Sequence, residues 1–129
     1  MNIKQAVQTH NAPQAIGTYS QAIVAGNTVY LSGQIPLDPH TMELVGTDIE
    51  AQTEQVFKNL AAVAEAAGGQ LDHIVKLTVF LTDLSNFPVV NATMAKFFHM
   101  PYPARSTFQV CALPKGSAIE VEATMVLPS

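Results

Sequence analysis

Between residues 47 and 82 the chain reads Thr47-Asp48-Ile49-Glu50-Ala51-Gln52-Thr53-Glu54-Gln55-Val56-Phe57-Lys58-Asn59-Leu60-Ala61-Ala62-Val63-Ala64-Glu65-Ala66-Ala67-Gly68-Gly69-Gln70-Leu71-Asp72-His73-Ile74-Val75-Lys76-Leu77-Thr78-Val79-Phe80-Leu81-Thr82, and the spacing of its apolar residues changes halfway along. From Ala51 to Ala67 they recur at three and four, as Val56, Phe57, Leu60, Ala61, Val63, Ala64 and Ala67, the stripe of a helix that buries one face. Thr47-Asp48-Ile49-Glu50 offers a capping box ahead of that helix, and Gly68-Gly69 offers a left-handed stop behind it. From His73 to Thr82 the period drops to two, with Val75, Leu77, Val79 and Leu81 alternating against Lys76, Thr78, Phe80 and Thr82. That is a strand.

Upstream, residues 16–36 read as extended chain folded back at Gly26-Asn27, with the strand-forming run Thr28-Val29-Tyr30-Leu31 after the turn. A polar stretch with two prolines, Pro36-Leu37-Asp38-Pro39-His40-Thr41, separates this hairpin from the helix. Downstream, Ser85 can cap a shorter second helix with Pro88 in its first turn, carrying Phe87, Val90, Met94, Phe97 and Phe98 inward until Pro101. The last quarter reads as two strands, Ser106 to Leu113 and Ala118 to Leu127, joined through Pro114-Lys115-Gly116 as a second hairpin. The order is β-β-α-β-α-β-β. It implies a single two-layer α+β domain over residues 1–129, with both helices on one face of a mostly antiparallel or mixed sheet and the other face left to find its own cover.

Composition bears on that open face. Lys, Arg, Asp and Glu make up 12% of the 129 residues, about half the share of an ordinary soluble domain. Some of the undercharged surface is therefore expected to be covered. Six Lys and Arg against a net charge of −4 give no basic cluster of the kind that binds phosphate backbones, so no nucleic-acid partner is expected. The polar start Met1-Asn2-Ile3-Lys4-Gln5 does not read as a signal peptide, Cys111 has no second cysteine to pair with, and no apolar run reaches membrane-spanning length. A soluble, cytoplasmic protein is expected.

Few residues could carry chemistry. Arg105, the only arginine, opens a strand otherwise made of Thr107, Phe108, Val110, Cys111 and Ala112. Such a guanidinium either meets a salt-bridge partner, stays in solvent at the strand end, or serves as a fork whose paired N–H donors match a carboxylate or phosphate. Glu120 and Glu122 are two apart in the last strand and share one face, while Ile119, Val121, Ala123 and Met125 take the other. That acidic face is either a solvated sheet edge or, if the last hairpin closes around Lys115-Gly116, it sets Glu120 beside the face of Arg105 and Thr107. A carboxylate and a guanidinium would then flank one pocket, the carboxylate placed to hold and polarise a water.

Ser32-Gly33-Gln34-Ile35-Pro36 ends the first hairpin with a glycine that marks either a bulge or a close approach of backbone to a ligand. Tyr19 reads as a half-buried strand aromatic, and Asn91 as either an exposed helix polar or a buried interface donor. His10, His40, His73 and His99 are widely spread and lack metal-ligand spacing, and Cys111 reads as a packed thiol in mid-strand.

Taken together, several segments resemble the RidA/YjgF family of reactive-intermediate deaminases. They are Ala15-Ile16-Gly17-Thr18-Tyr19-Ser20-Gln21, Ser32-Gly33-Gln34-Ile35-Pro36, Val79-Phe80-Leu81-Thr82-Asp83-Leu84 with Phe87 and Asn91, Tyr102-Pro103-Ala104-Arg105-Ser106, and Leu113-Pro114-Lys115 with Ile119-Glu120-Val121-Glu122-Ala123. The likeness runs through nearly the whole chain in order. It implies a chorismate-mutase-like subunit in a homotrimer with sites between subunits, and cofactor-free hydrolysis of 2-aminoacrylate-type enamine and imine acids to 2-keto acids and ammonia. By the same resemblance Arg105 would clamp the substrate carboxylate and Glu120 would position or activate the water. Backbone at Gly33 would contact the substrate, and Tyr19, Ser32, Phe87, Asn91 and Thr107 would line the cleft, partly from a neighbouring subunit. Departures from the family pattern are Thr107, where many members carry Cys, Cys111, where a small residue is commoner, and a short stretch from Phe98 to Tyr102.

Overall fold

In the computed structural model, which describes residues 3–128, the Asp48 carboxylate accepts the Ala51 amide at 3.0 Å, and α1 (Ile49–Ala66) starts there. The capping box expected over Thr47–Glu50 reduces to this bond, since Glu50 instead takes Lys96 at 3.3 Å. Val56, Phe57, Leu60, Val63 and Ala64 are fully buried along the stripe, and Gly68, with φ at +97°, stops the helix as its missing Cβ permits. A turn at Leu71–His73 leads into β4 (Ile74–Leu81), which sends Leu77, Val79 and Leu81 toward α1 and Lys76, Thr78 and Phe80 to the opposite face. Val75 departs from the expected alternation and is exposed, because a register irregularity between Ile74 and Lys76 gives Ile74 the inward place.

The first hairpin forms as expected, β2 (Ala22–Ala25) and β3 (Thr28–Gln34) turning at Gly26-Asn27, and the short β1 (Gln5–Val7) adds to its outer side. Residues 16–21 are not strand. They are tied down by the buried Gln21, whose side chain accepts the Thr9 amide at 2.7 Å and donates to the carbonyls of Thr9, Ala12 and Pro13.

After β4 the Asp83 carboxylate, and not Ser85, supplies the cap: it accepts the Ser85 amide at 3.0 Å and the Ser85 hydroxyl at 2.7 Å. With its hydroxyl donating to Asp83, Ser85 is itself the capped residue, and the ionised Asp83 carboxylate, an acceptor only, takes both donors. One turn, Leu84–Asn86, then runs into α2 (Phe87–Met94), which is shorter than the apolar spacing suggests. Phe98 nevertheless returns to the core and meets Phe57 edge-on at 5.4 Å.

The second hairpin does not form. β5 (Ala104–Gln109) pairs in parallel with β4, and β6 (Ile119–Val126) pairs antiparallel with β4 on its other side, giving the sheet order β1-β2-β3-β6-β4-β5. Residues 110–118 step across the end of β4 instead of turning back. The reason is apolar content: Leu77, Val79 and Leu81 are fully buried, so β4 takes a central position with a strand on each flank. α2 is the crossover between the parallel pair, and both helices cover one face of the sheet, as expected. The open face carries Tyr30, Phe108 and Val126, each more than two-fifths exposed, with the Phe80 and Phe108 rings stacked 6.5 Å apart. No described helix is long and apolar enough to cross a membrane.

Candidate active site

Arg105 aligns with the buried Leu77, so its side chain leaves β5, the edge strand, on the helix-covered face. There Nη1 donates to Asn91 Oδ1 at 2.8 Å and to Met94 Sδ at 3.4 Å, and the Phe87 ring lies 4.8 Å below CZ. All three partners come from α2 at a spacing of three and four, which brings them to one face of the helix. Among the described residues no acid lies within salt-bridge distance of Arg105. A cation fixed in place with no counter-charge is suited to an incoming anion. Two clefts share it as a wall: one of about 410 Å³ lined by Asn91, Met94, Tyr102 and Pro103, and one of about 560 Å³ lined by Leu84, Phe87, Pro88 and Thr107.

Glu120 stands elsewhere. It aligns with Phe80, three positions along β4 from Leu77, and odd spacing puts it on the open face with Glu122. Within one chain Arg105 and Glu120 therefore lie on opposite faces of the sheet with β4 between their strands. The expectation that a hairpin sets them across one pocket is corrected.

Glu120 is held against β3. Between Leu31 and Gln34 that strand carries one residue more than β6 opposite, so Ser32-Gly33 is a bulge, and the Glu120 carboxylate occupies the space where a Cβ on residue 33 would stand. Burial against the sheet withdraws this carboxyl from water and Glu122 adds repulsion, and together they hold it above the usual carboxylate range. Gly33 is not needed for its φ, so Gly33→Ala is expected to fold with little loss, because the overlapping group is the end of a flexible side chain. The same change displaces the Glu120 carboxylate, and activity is expected to fall at least tenfold. A melting curve beside a turnover assay separates the two effects.

Ser32 donates its hydroxyl to the Ser20 carbonyl at 2.6 Å, and its amide bonds Gln21, which brings the Tyr19 segment beside the bulge. Tyr19 follows a bend at Gly17-Thr18 and is exposed, its phenol oxygen accepting the Ile16 amide at 3.2 Å. The described positions thus form two groups: Arg105, Phe87, Asn91 and Thr107 by α2 and β5, and Glu120, Ser32, Gly33 and Tyr19 by β3 and β6. Cys111 is corrected from a packed to an exposed thiol, since β5 ends at Gln109 and leaves it outside the sheet. Residues to which the sequence assigns no site role are Met94, expected only in the core of the second helix, and Tyr102, both beside Arg105, and Gln52 and Asn59 of α1. Gln52 bonds Gly46 and Ala118, while Asn59 bonds Ile35 and Leu37, so together they anchor the loops on either side of the Gly33–Glu120 contact. Two polar side chains on the buried stripe of α1 were the available signal. Among the described residues no three His, Cys, Asp or Glu side chains converge as metal ligands would.

The family model described as Endoribonuclease L-PSP matches residues 9–127. The chain belongs to this RidA/YjgF family. The Rid chain is 50% identical to Protein DfrA of Myxococcus xanthus over 125 residues, covering 95% of each. It is 44% identical to the 2-iminobutanoate/2-iminopropanoate deaminase of the mite Dermatophagoides farinae, over 98% of this chain and 99% of that one. The crystal structure of RidA from an Antarctic Psychrobacter superposes with a TM-score of 0.92 at 53% identity, over 95% of this chain and 99% of that one.

Proposed function

We propose that this Rid protein hydrolyses 2-imino and enamine acids of the 2-aminoacrylate type to 2-keto acids and ammonia, without a cofactor. The observation that carries the reading is the guanidinium of Arg105, which meets no acid among the described residues and is fixed by α2 beside two clefts. It suits a small carboxylate, and the deaminase name borne by a relative 44% identical over nearly the whole chain supplies the reaction.

The chemistry asks little of the protein. The carbon of the C=N bond is already electrophilic. Arg105 holds the substrate carboxylate, and Glu120 accepts a proton from water as the water oxygen bonds that carbon and the C=N π pair moves to nitrogen; Glu120 returns the proton to that nitrogen, giving a neutral carbinolamine. Glu120 then takes the carbinolamine hydroxyl proton and passes it to the amine nitrogen as C=O forms and the C–N bond breaks, and ammonia leaves. Orientation and charge placement account for the acceleration. Because Arg105 and Glu120 face opposite ways in one chain, we place the complete site between copies, the Arg105 group of one meeting the Glu120 group of another. The homotrimer implied by the family resemblance would provide this. The exposed Tyr30, Phe108 and Val126 on the open face beside Glu120, and the low charge content, support such a cover. The lone Cys111 suits the reducing cytoplasm as the compartment.

In the coupled test, a dehydratase generates the enamine in place and keto-acid release is followed with and without the protein. Acceleration is expected, and identical rates would remove the reading. A non-catalytic carboxylate binder is the second reading, favoured by a hydroxyl at Thr107; calorimetric binding without turnover would select it.

The pH profile carries a further expectation. Glu120 must be ionised to accept a proton, so the acid limb of kcat/KM is expected above the ordinary glutamate range. Glu122→Gln removes the repulsive part of the shift and should move that limb to lower pH, while the larger desolvation part remains. The stability effect has the opposite sense: a raised carboxyl favours the folded state when protonated, and that contribution is lost as pH rises through the folded value.

A further inference from the structure

Arg105 has five N–H donors, and the two that α2 occupies decide which remain for a ligand. Nη1 carries two hydrogens and has two acceptors, Asn91 Oδ1 at 2.8 Å and Met94 Sδ at 3.4 Å. Asn91 and Met94 are three apart in α2 and reach the same nitrogen from one helix face. Met94 is 5% exposed, so its thioether is set by the core and not by a mobile surface chain. The Phe87 ring under CZ fixes the plane in which the guanidinium lies. Among the described residues, nothing accepts from Nη2 or Nε.

We infer that Asn91 and Met94 are positioning residues that park Nη1 of Arg105, so that the substrate carboxylate is taken on the Nε–Nη2 edge. This rests on the reading of Arg105 as a carboxylate clamp. An arginine can offer a carboxylate two forks, the end formed by Nη1 and Nη2 or the side formed by Nε and Nη2. With Nη1 engaged, the end fork lacks one prong and the side fork is complete. The inference also selects between the two clefts. In the one lined by Asn91, Met94 and Tyr102, a carboxylate would compete with the two acceptors of Nη1. In the one lined by Leu84, Phe87, Pro88 and Thr107 it would not. Asn91 thereby acts through Arg105 and not on the substrate.

Because Arg105 is the only arginine, arginine-specific ¹⁵N labelling reports on this group alone. The experiment records its Nε and Nη signals in the native assembly, free and with 2-oxobutanoate as the probe. In the free protein, separate Nη1 and Nη2 signals are expected, since a parked guanidinium rotates slowly about Nε–CZ. The probe should shift Nε–H and Nη2–H and leave Nη1 nearly unmoved. Met94→Leu conserves volume and should retain the fold. It is expected to bring the two Nη signals together, weaken the probe about fivefold, and raise KM by a similar factor with kcat within about twofold of the parent. Asn91→Ala, on an exposed position, should do the same more strongly. A probe that shifts Nη1 most, or a Met94→Leu protein with unaltered Arg105 signals, would overturn the inference. A saturating probe that moves no Arg105 signal would overturn the clamp reading itself, and the inference with it.

Discussion

Arg105→Ala is expected to lower kcat/KM for imine hydrolysis on the order of 10²–10³-fold, about 3–4 kcal/mol, through loss of two charge-assisted hydrogen bonds to the substrate carboxylate. The loss should fall on activity and spare the fold. Arg105 is exposed and forms no ion pair among the described residues, so its removal orphans no buried charge. Arg105→Lys tests whether charge alone suffices: an ammonium keeps the charge but not the planar fork, and an intermediate rate is expected. Steady-state kinetics on the coupled assay, beside thermal melts of both variants, reads the two effects apart. A rate unchanged in Arg105→Ala would remove the anion clamp from the account.

How far the sequence reached is clearest at β4 and its neighbours. The change of period from three and four to two told the end of α1 from the start of β4, since both elements bury one face against the same core and the pattern records it locally. The partners of β4 were not legible in the same way. Pro114-Lys115-Gly116 has the composition of a hairpin turn, but pairing is a non-local choice, and the buried run Leu77, Val79 and Leu81 drew β4 between β5 and β6. That single misreading also set Arg105 and Glu120 on one face. Parity along each strand was read correctly, Glu120 with Glu122 and Arg105 with Thr107, yet relative facing across strands depends on which strands are neighbours.

The same limit explains the supporting polar groups. Gln21 and Gln52 are nearly fully buried and bond backbone far away in sequence, and nothing within a few residues announces those partners. Cys111 was misplaced because its apolar neighbours look like strand, although the ladder ends two residues earlier. Gly33 was legible as a special position with two meanings, and the structure assigns both a bulge and a close approach, the approaching group being the Glu120 carboxylate.

The second large effect follows from the opposed faces. Glu120→Gln keeps the shape of the side chain and removes the proton acceptor, with an expected loss on the order of 10²–10⁴-fold. Arg105→Ala and Glu120→Gln should each be nearly inactive alone and yet complement one another in mixed assemblies. If a site takes Arg105 from one copy and Glu120 from the next, random mixing in equal amounts leaves both groups intact with probability one half times one half, about a quarter of the sites. Sites built within a single chain could not be restored this way, because every chain in the mixture lacks one of the two groups.

The measurement that tests the account most directly is therefore the turnover of the two variants refolded together, with mass spectrometry confirming that mixed assemblies form. Activity near a quarter of the parent protein's is expected. Mixed assemblies whose activity does not exceed the sum of the separate variants would contradict a site shared between copies.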